Sequence, residues 1–406
     1  MSFDPRDPEL RVDPYPLLHR LRADDPIHWS ESLNAFVLTG HADMAAISRS
    51  PAFGTPRDLF IEELRGRLGS GYAFDYASRR LTFYDNPDLS RLRGLALRAF
   101  TPRRIELLRP RIETMTAELF DRAERNVDSD GVVDLREEVF HPLPSMVISE
   151  MLGIPDADRE FFDRANDPLT HLTAPFLTSE QQAEGETSAA LEWNRLEEIV
   201  DDRRQRPGND LLTALIQAED DDGSAFDHHE LIALLMMLFS AGHHTTRDSL
   251  AMGLFGYLTG DAQQRRDLHE DPSLLPGAVE EWLRWDTSII MTTRTARTAT
   301  TIRGVDIPQG TRCYLHYLAG NRDPERFADP DRFDITRTGS RIMSFGGGMH
   351  HCLGSALARL EIDVVIAEFT RRYPEAQLPL DPWVDVGWRP NIVFRGPLAA
   401  PVKLGV

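Results

Sequence analysis

Phe345-Gly346-Gly347-Gly348-Met349-His350-His351-Cys352-Leu353-Gly354 is the stretch whose reading decides the fold. Three consecutive glycines run into a cysteine, and a helical pattern begins at once over residues 353–361, continued by Ile362, Val364, Val365 and Ile366. The glycines admit backbone dihedrals closed to other residues and let the chain approach a flat partner. Cys352 then stands at a helix start, where free N–H groups and the positive dipole end favour the metal-binding thiolate. A lone cysteine is equally compatible with a small buried hydrophobe, and the loop alone leaves both readings open. Zinc fits poorly, because one cysteine beside two adjacent histidines lacks chelating spacing and the chain has no CxxC pair. The phosphate-loop patterns GxGxxG and GxxxxGK[ST] both fail. One thiolate on a glycine loop suits the axial position of a haem.

The stretch resembles the haem-binding loop of the cytochrome P450 family, F-x-x-G-x-[HR]-x-C-x-G, with Phe345, Gly348, His350, Cys352 and Gly354 at the patterned positions. The resemblance implies haem b (iron protoporphyrin IX) with Cys352 as the axial iron ligand. It further implies a single, mainly helical domain over residues 1–406 with a small β region. The haem would lie between a long central helix and the cysteine-loop helix.

Composition agrees with an enzyme of this kind. A net charge of −20 argues against nucleic acid and anionic membrane surfaces. Cys313 and Cys352 are the two cysteines, so a disulfide framework is excluded and a cytoplasmic location is expected. The first residues lack the apolar segment of a signal peptide. The longest apolar run, 231–239, is far short of the roughly 20 residues of a membrane helix.

Along the chain, residues 27–30 and 35–39 read as short strands, and 57–80 as loop with short helices. Tyr72, Phe74 and Tyr76 are candidate pocket residues there by resemblance, or packing residues under the loop. Residues 85–104 resemble the family's D-P-P-x-H-x-x-x-R…F-T-P helix: Arg93 keeps the propionate arginine, while Leu89 replaces the usual histidine. Seven arginines against Glu106 fall between Arg91 and Arg111. That run reads as a solvated face or as a docking patch for a ferredoxin-type electron donor. Residues 157–166 and 181–204 read as helices that the family uses as a lid, and 219–223 as an acidic loop.

The longest helical pattern covers 227–259, with Asp227 and Glu230 as a capping box. Apolar residues surround it, so it should cross the core. Ala241-Gly242-His243-His244-Thr245-Thr246 interrupts it and resembles the family's [AG]-G-x-[DE]-T-[TS]. The resemblance makes Ala241 and Gly242 the groove facing the haem and Thr245 the hydroxyl that bonds dioxygen and passes protons. His244 stands where a carboxylate is usual. Imidazole also shuttles protons near neutral pH, and the alternative is that its ring points away from the iron and contacts another side chain or solvent.

Glu281 and Arg284 form an ExxR pair on one helical face, the family's structural pair. Arg294 matches a second propionate arginine, and Ile289, Ile290, Met291 and Phe394 fall where the family lines its pocket. Cys313 lies in a strand-like run and reads as an inert core residue. The implied activity is that of a monomeric haem-thiolate monooxygenase inserting one atom of O2 into a small, largely apolar substrate. Its electrons would come from NAD(P)H through a ferredoxin reductase and ferredoxin, with Cys352, His350, Arg93 and Arg294 holding the haem. Oxidative coupling or desaturation on the same scaffold is the alternative, and a haem-based ligand sensor or carrier the non-enzymatic one.

Overall fold

The computed structural model describes residues 2–219, 223–339 and 341–405. Residues 220–222 of the expected acidic loop lie outside them. The helices that position the site are α1 (Arg57–Leu68), α2 (Tyr72–Ser78), α3 (Asp88–Ala99), α4 (Pro142–Leu152), α5 (Arg159–Asn166), α6 (Ser179–Gln205), α7 (His228–Thr259), α8 (Leu275–Trp285) and α9 (Ser355–Arg372). A five-stranded mixed sheet is built from β1 (Ile27–Ser30), β2 (Ala35–Leu38), β3 (Phe53–Gly54), β4 (Met291–Ala296) and β5 (Arg312–His316) in the order β1-β2-β5-β4-β3. β2 and β5 run parallel with Phe36 opposite Cys313, and β4 pairs β5 antiparallel with Met291 opposite His316. Cys313 is therefore a fully buried core residue, and burial pushes its thiol up to about 12.

Contacts divide the chain into two compact units. One holds Met1–Phe53, Glu106–Pro144 and Thr245–Val406; the other holds Gly54–Ile105 and Ser145–His244. Both are discontinuous, and one division falls inside α7.

The region expected as loop with short pieces carries α1 and α2, helices of 12 and 7 residues. The glutamate that organises it is remote in sequence. Glu186 on α6 accepts from the backbone N–H of Tyr72 at 2.8 Å and of Ala73 at 2.9 Å, filling the two donors at the start of α2. A side chain at Gly71 would overlap that carboxylate.

α7 runs unbroken for 32 residues, so the polar interruption does not interrupt the helix. The Asp227/Glu230 capping box is formed in both directions, at 2.7 and 3.0 Å. Nearer its end, α7 is notched for α8. A Cβ on Gly253 would lie 1.5 Å from the Trp282 indole, and one on Gly256 would lie 2.4 Å from that of Trp285. Trp282 seats itself there by donating to the Leu250 carbonyl at 3.2 Å.

Glu281 and Arg284 on α8 are buried to 1 % exposure and joined by two bonds of 2.6 Å. The remaining donors of Arg284 reach the carbonyls of Asn321 (2.9 Å), Pro330 (2.8 Å) and Arg332 (3.2 Å), while Glu281 accepts from the Asp334 N–H at 2.7 Å. A buried ion pair is tolerable when its other hydrogen-bonding positions are filled in this way. Arg284→Met is expected to destabilise the fold by about 3–5 kcal/mol, the cost of a stranded buried charge. A denaturant midpoint within error of the parent would contradict that role.

Candidate active site

The cysteine loop hangs from this knot. Asn321 gives its carbonyl to Arg284, and its side chain accepts from the Met343 N–H at 2.6 Å and donates to the Ser344 hydroxyl at 2.9 Å. Ser344 donates in turn to the Leu283 carbonyl at 2.7 Å. The loop then turns on glycine. Gly346 (φ 65°) and Gly348 (φ 64°) occupy the left-handed region, and a Cβ at Gly348 would lie 1.9 Å from the backbone oxygen of Ser48. The ring of Phe345 is buried under the Arg359 guanidinium at 4.4 Å, and the Cys352 N–H closes the loop on the Phe345 carbonyl at 2.9 Å. Cys352 is thereby presented exposed, three residues before the first residue of α9, whereas Cys313 is buried. His350 is half-buried in the 3-10 turn Gly348–His350, and Gly354 precedes the first turn of α9.

α7 is buried at every position from Leu231 to Tyr257 except Ala241, Gly242 and Thr245. These are residues i, i+1 and i+4, so they share one face. Among them Ala241 is exposed, and Gly242 and Thr245 are half-buried. A Cβ at 242 would stand 3.2 Å from the Ile148 Cδ1 of α4, a contact the isoleucine would have to yield to by a few tenths of an ångström. His243 and His244 turn away and are buried at 0 and 1 %. Their rings stack at 4.7 Å. His244 Nε2 lies 3.1 Å from Oδ1 of Asn166, at the end of α5, and its Nδ1 lies 3.5 Å from Asp167. Asn166 donates to Glu192 on α6 at 3.1 and 3.4 Å. Burial holds the Glu192 carboxyl well above the usual carboxylate range.

Sequence reasoning missed Asn166, Asp167 and Glu192. The available signal was Glu192 itself, which occupies a core position of α6 in line with Ala189, Trp193 and Leu196.

The other expected residues divide by unit. Arg93 is half-buried on α3, one turn from Leu89, which is buried at 1 % in apolar packing. Phe74 and Tyr76 are buried on α2, with the Arg65 guanidinium 4.5 Å over Phe74; Tyr72 is largely exposed. In the other unit, Arg294 is buried on β4 and donates to the Thr293 carbonyl at 2.6 Å. Ile289 pairs with Phe394 in an isolated bridge, while Ile290 and Met291 pack with Phe3, Leu18 and Leu21 under the N-terminal segment. The basic run is less open than its sequence suggests. Arg91 pairs with Glu230, Arg104 donates to the Asp210 carbonyl, and Arg109 binds Glu106 and Asp363. Arg98, Arg103 and Arg111 are exposed.

The family model for cytochrome P450 matches residues 65–380. The chain belongs to the cytochrome P450 family. This P450 is 37 % identical over 379 residues to cytochrome P450 107B1 of Saccharopolyspora erythraea, covering 92 % of this chain and 90 % of that one. It is 35 % identical to 6-deoxyerythronolide B hydroxylase of the same organism, over 97 % of each chain. The crystal structure of CalO2 superposes with a TM-score of 0.90 at 28 % identity, covering 99 % of this P450 and 98 % of CalO2. The mainly helical fold with small sheets is the P450 fold, and the protein is an oxidoreductase of the haem-thiolate monooxygenase class. Among the described residues, no helix is long and apolar enough to cross a membrane.

The residues present fit a haem. An exposed thiol follows a loop that tolerates no side chain at Gly348, and the stretch 231–257 of α7 is accessible at Ala241, Gly242 and Thr245. Gly348→Ala is expected to cost about 1–2 kcal/mol for the left-handed backbone alone, with the Ser48 overlap added. Thermal unfolding of the haem-free variant is the measurement, and an unchanged midpoint would refute this account of the loop.

Proposed function

We propose that this P450 inserts one atom of O2 into a small, largely apolar organic substrate, with electrons delivered singly by a ferredoxin-type donor. The observation that carries the reading is the accessible Ala241–Gly242–Thr245 strip on a helix buried everywhere else along its core length, taken with the exposed thiol of Cys352. Haem supplies the redox-active iron at which dioxygen is activated.

The chain's own residues have the following work. The Cys352 thiolate would hold the haem iron through its sulfur and would supply the electron density that thiolate ligation lends to oxygen activation. Arg93, Arg294 and His350 bind the propionates, with Leu89 contributing only apolar packing. Phe345, Gly348 and Gly354 shape the loop. Ala241 and Gly242 keep the helix surface low, and the Thr245 hydroxyl donates a hydrogen bond and relays protons. His244 supplies those protons in place of the usual carboxylate, since a group titrating near neutral pH transfers them efficiently. Phe74, Tyr76, Ile289, Ile290, Met291 and Phe394 contact substrate or back the residues that do. Exposed Arg98, Arg103 and Arg111 attract an acidic donor, an attraction that weakens as salt rises. A relative named 6-deoxyerythronolide B hydroxylase supports oxygen insertion as the reaction. Oxidative coupling or desaturation would use the same residues.

Reduction under CO is expected to give the red-shifted Soret band of thiolate ligation, lost in Cys352→His. A histidine-type band from the folded parent would sink the haem-thiolate reading. His244→Ala is expected to slow product formation roughly 10²-fold or more, the usual worth of a proton-transfer group, and to divert reducing equivalents to peroxide. Unchanged coupling of NADPH consumption to product would remove His244 from proton delivery.

A further inference from the structure

The buried surroundings of His244 are more polar than packing requires. His244, Asn166 and Glu192 are each at most 1 % exposed, yet they form a connected chain from imidazole through amide to carboxyl. Burying such groups is costly unless each is hydrogen-bonded, and apolar side chains of similar volume would fill the space at lower cost. The chain has a direction. An amide has one donor end and one acceptor end. Asn166 turns its NH2 to both carboxyl oxygens of Glu192, at 3.1 and 3.4 Å, so its carbonyl faces His244 Nε2 and Nε2 carries the hydrogen. Nδ1 lies 3.5 Å from a carboxylate oxygen of Asp167, whose side chain is 62 % exposed. Asp167 is thus the member of the chain that meets solvent.

We propose that Asn166 is the positioning residue for His244 and that Asp167 is its proton donor on the solvent side. This rests on the reading of His244 as the proton source of a monooxygenase. The carboxylate that the family usually carries on the central helix is displaced here to the turn after α5, with an imidazole bridging the gap. Asp167 is protonated by hydronium or another acid from solvent, whose own bond to the proton breaks. The Asp167 O–H bond then breaks as an N–H bond forms at Nδ1, leaving an imidazolium beside the Asp167 carboxylate. Loss of the Nδ1 proton to the reaction restores the Nε2–H imidazole, the same two steps replace it, and no electrons move.

The other titratable groups facing this site are known. His243 stacks on His244, and its Nδ1 lies 3.8 Å from Asp163 on α5. Glu192 faces it from α6 through Asn166. Arg247, one turn along α7, is paired with Asp248.

The test is nitrogen NMR of [15N]histidine-labelled, haem-loaded protein, reduced and CO-bound so that it is diamagnetic. The His244 signals are identified by their loss in His244→Gln. The parent should show the Nε2–H tautomer in its neutral form. Asp167→Asn should lower the protonation midpoint of His244 by about one pH unit, a tenfold loss of proton affinity on removing a carboxylate partner. Asn166→Leu should release the tautomer preference. Asn166→Asp, which keeps the shape should the leucine variant fail to fold, should raise the midpoint. An Nδ1–H tautomer in the parent, or a midpoint unmoved in both Asp167→Asn and Asn166→Asp, overturns the proposal. The Soret band of the same samples separates the two failures. A thiolate band with negative NMR results defeats this inference alone, whereas a histidine-type band defeats the functional reading beneath it.

Discussion

A charge pair almost wholly shielded from water anchors the segments from which the cysteine loop begins. Glu281 and Arg284 are buried to 1 % exposure, so their mutual attraction is unscreened, but so is the penalty for any donor left unfilled. The fold meets that demand by drawing three distant carbonyls and one backbone N–H onto the pair. Those peptide groups belong to segments with little regular structure of their own. One of them, Asn321, passes the constraint to Met343 and Ser344, and from there the cysteine loop begins. A loop of glycines has little intrinsic order. The sulfur is therefore placed largely by an ion pair some seventy residues earlier in the chain.

The central helix solves a different problem. It must be apolar enough to be buried along its length and still offer chemistry at one point. Small residues open that point on one face, while the two histidines are sent to another, where Asn166, Asp163 and Asp167 receive them. Gly242 serves both needs, since its missing side chain lets α4 approach through Ile148. The accessible strip and the two histidines are then neighbours in sequence but occupy separate sectors of the helix.

Much of this was legible in the sequence because the signals are local. The glycine loop, the capping box of α7 and the ExxR spacing each depend on residues within a few positions of one another, and each took its expected form. What escaped depends on pairing across long stretches of chain. Residues 57–80 lack clean periodicity, and their helical order draws on a carboxylate at position 186. Asn166 and Glu192 are unremarkable separately and acquire meaning only once α5 and α6 lie together. The packing of Met291 against the cluster that holds Phe3 likewise depends on pairing across most of the chain. The basic run between Arg91 and Arg111 reads as seven open charges until Glu230 and Asp363 are brought against it.

The notches at Gly253 and Gly256 have a consequence for angle as much as for packing. An α-helix turns by about 100° per residue, so sliding it by a single position rotates every side chain by that amount. Here two indoles are seated in gaps one turn apart on α7, and any side chain brought to either position would overlap a tryptophan. The seat lies eight residues, or about 12 Å, along the axis from Thr245. It acts as an index mark that sets the rotational phase of the helix. A slip of one residue would bring His244 round to the accessible face and carry the threonine hydroxyl out of it.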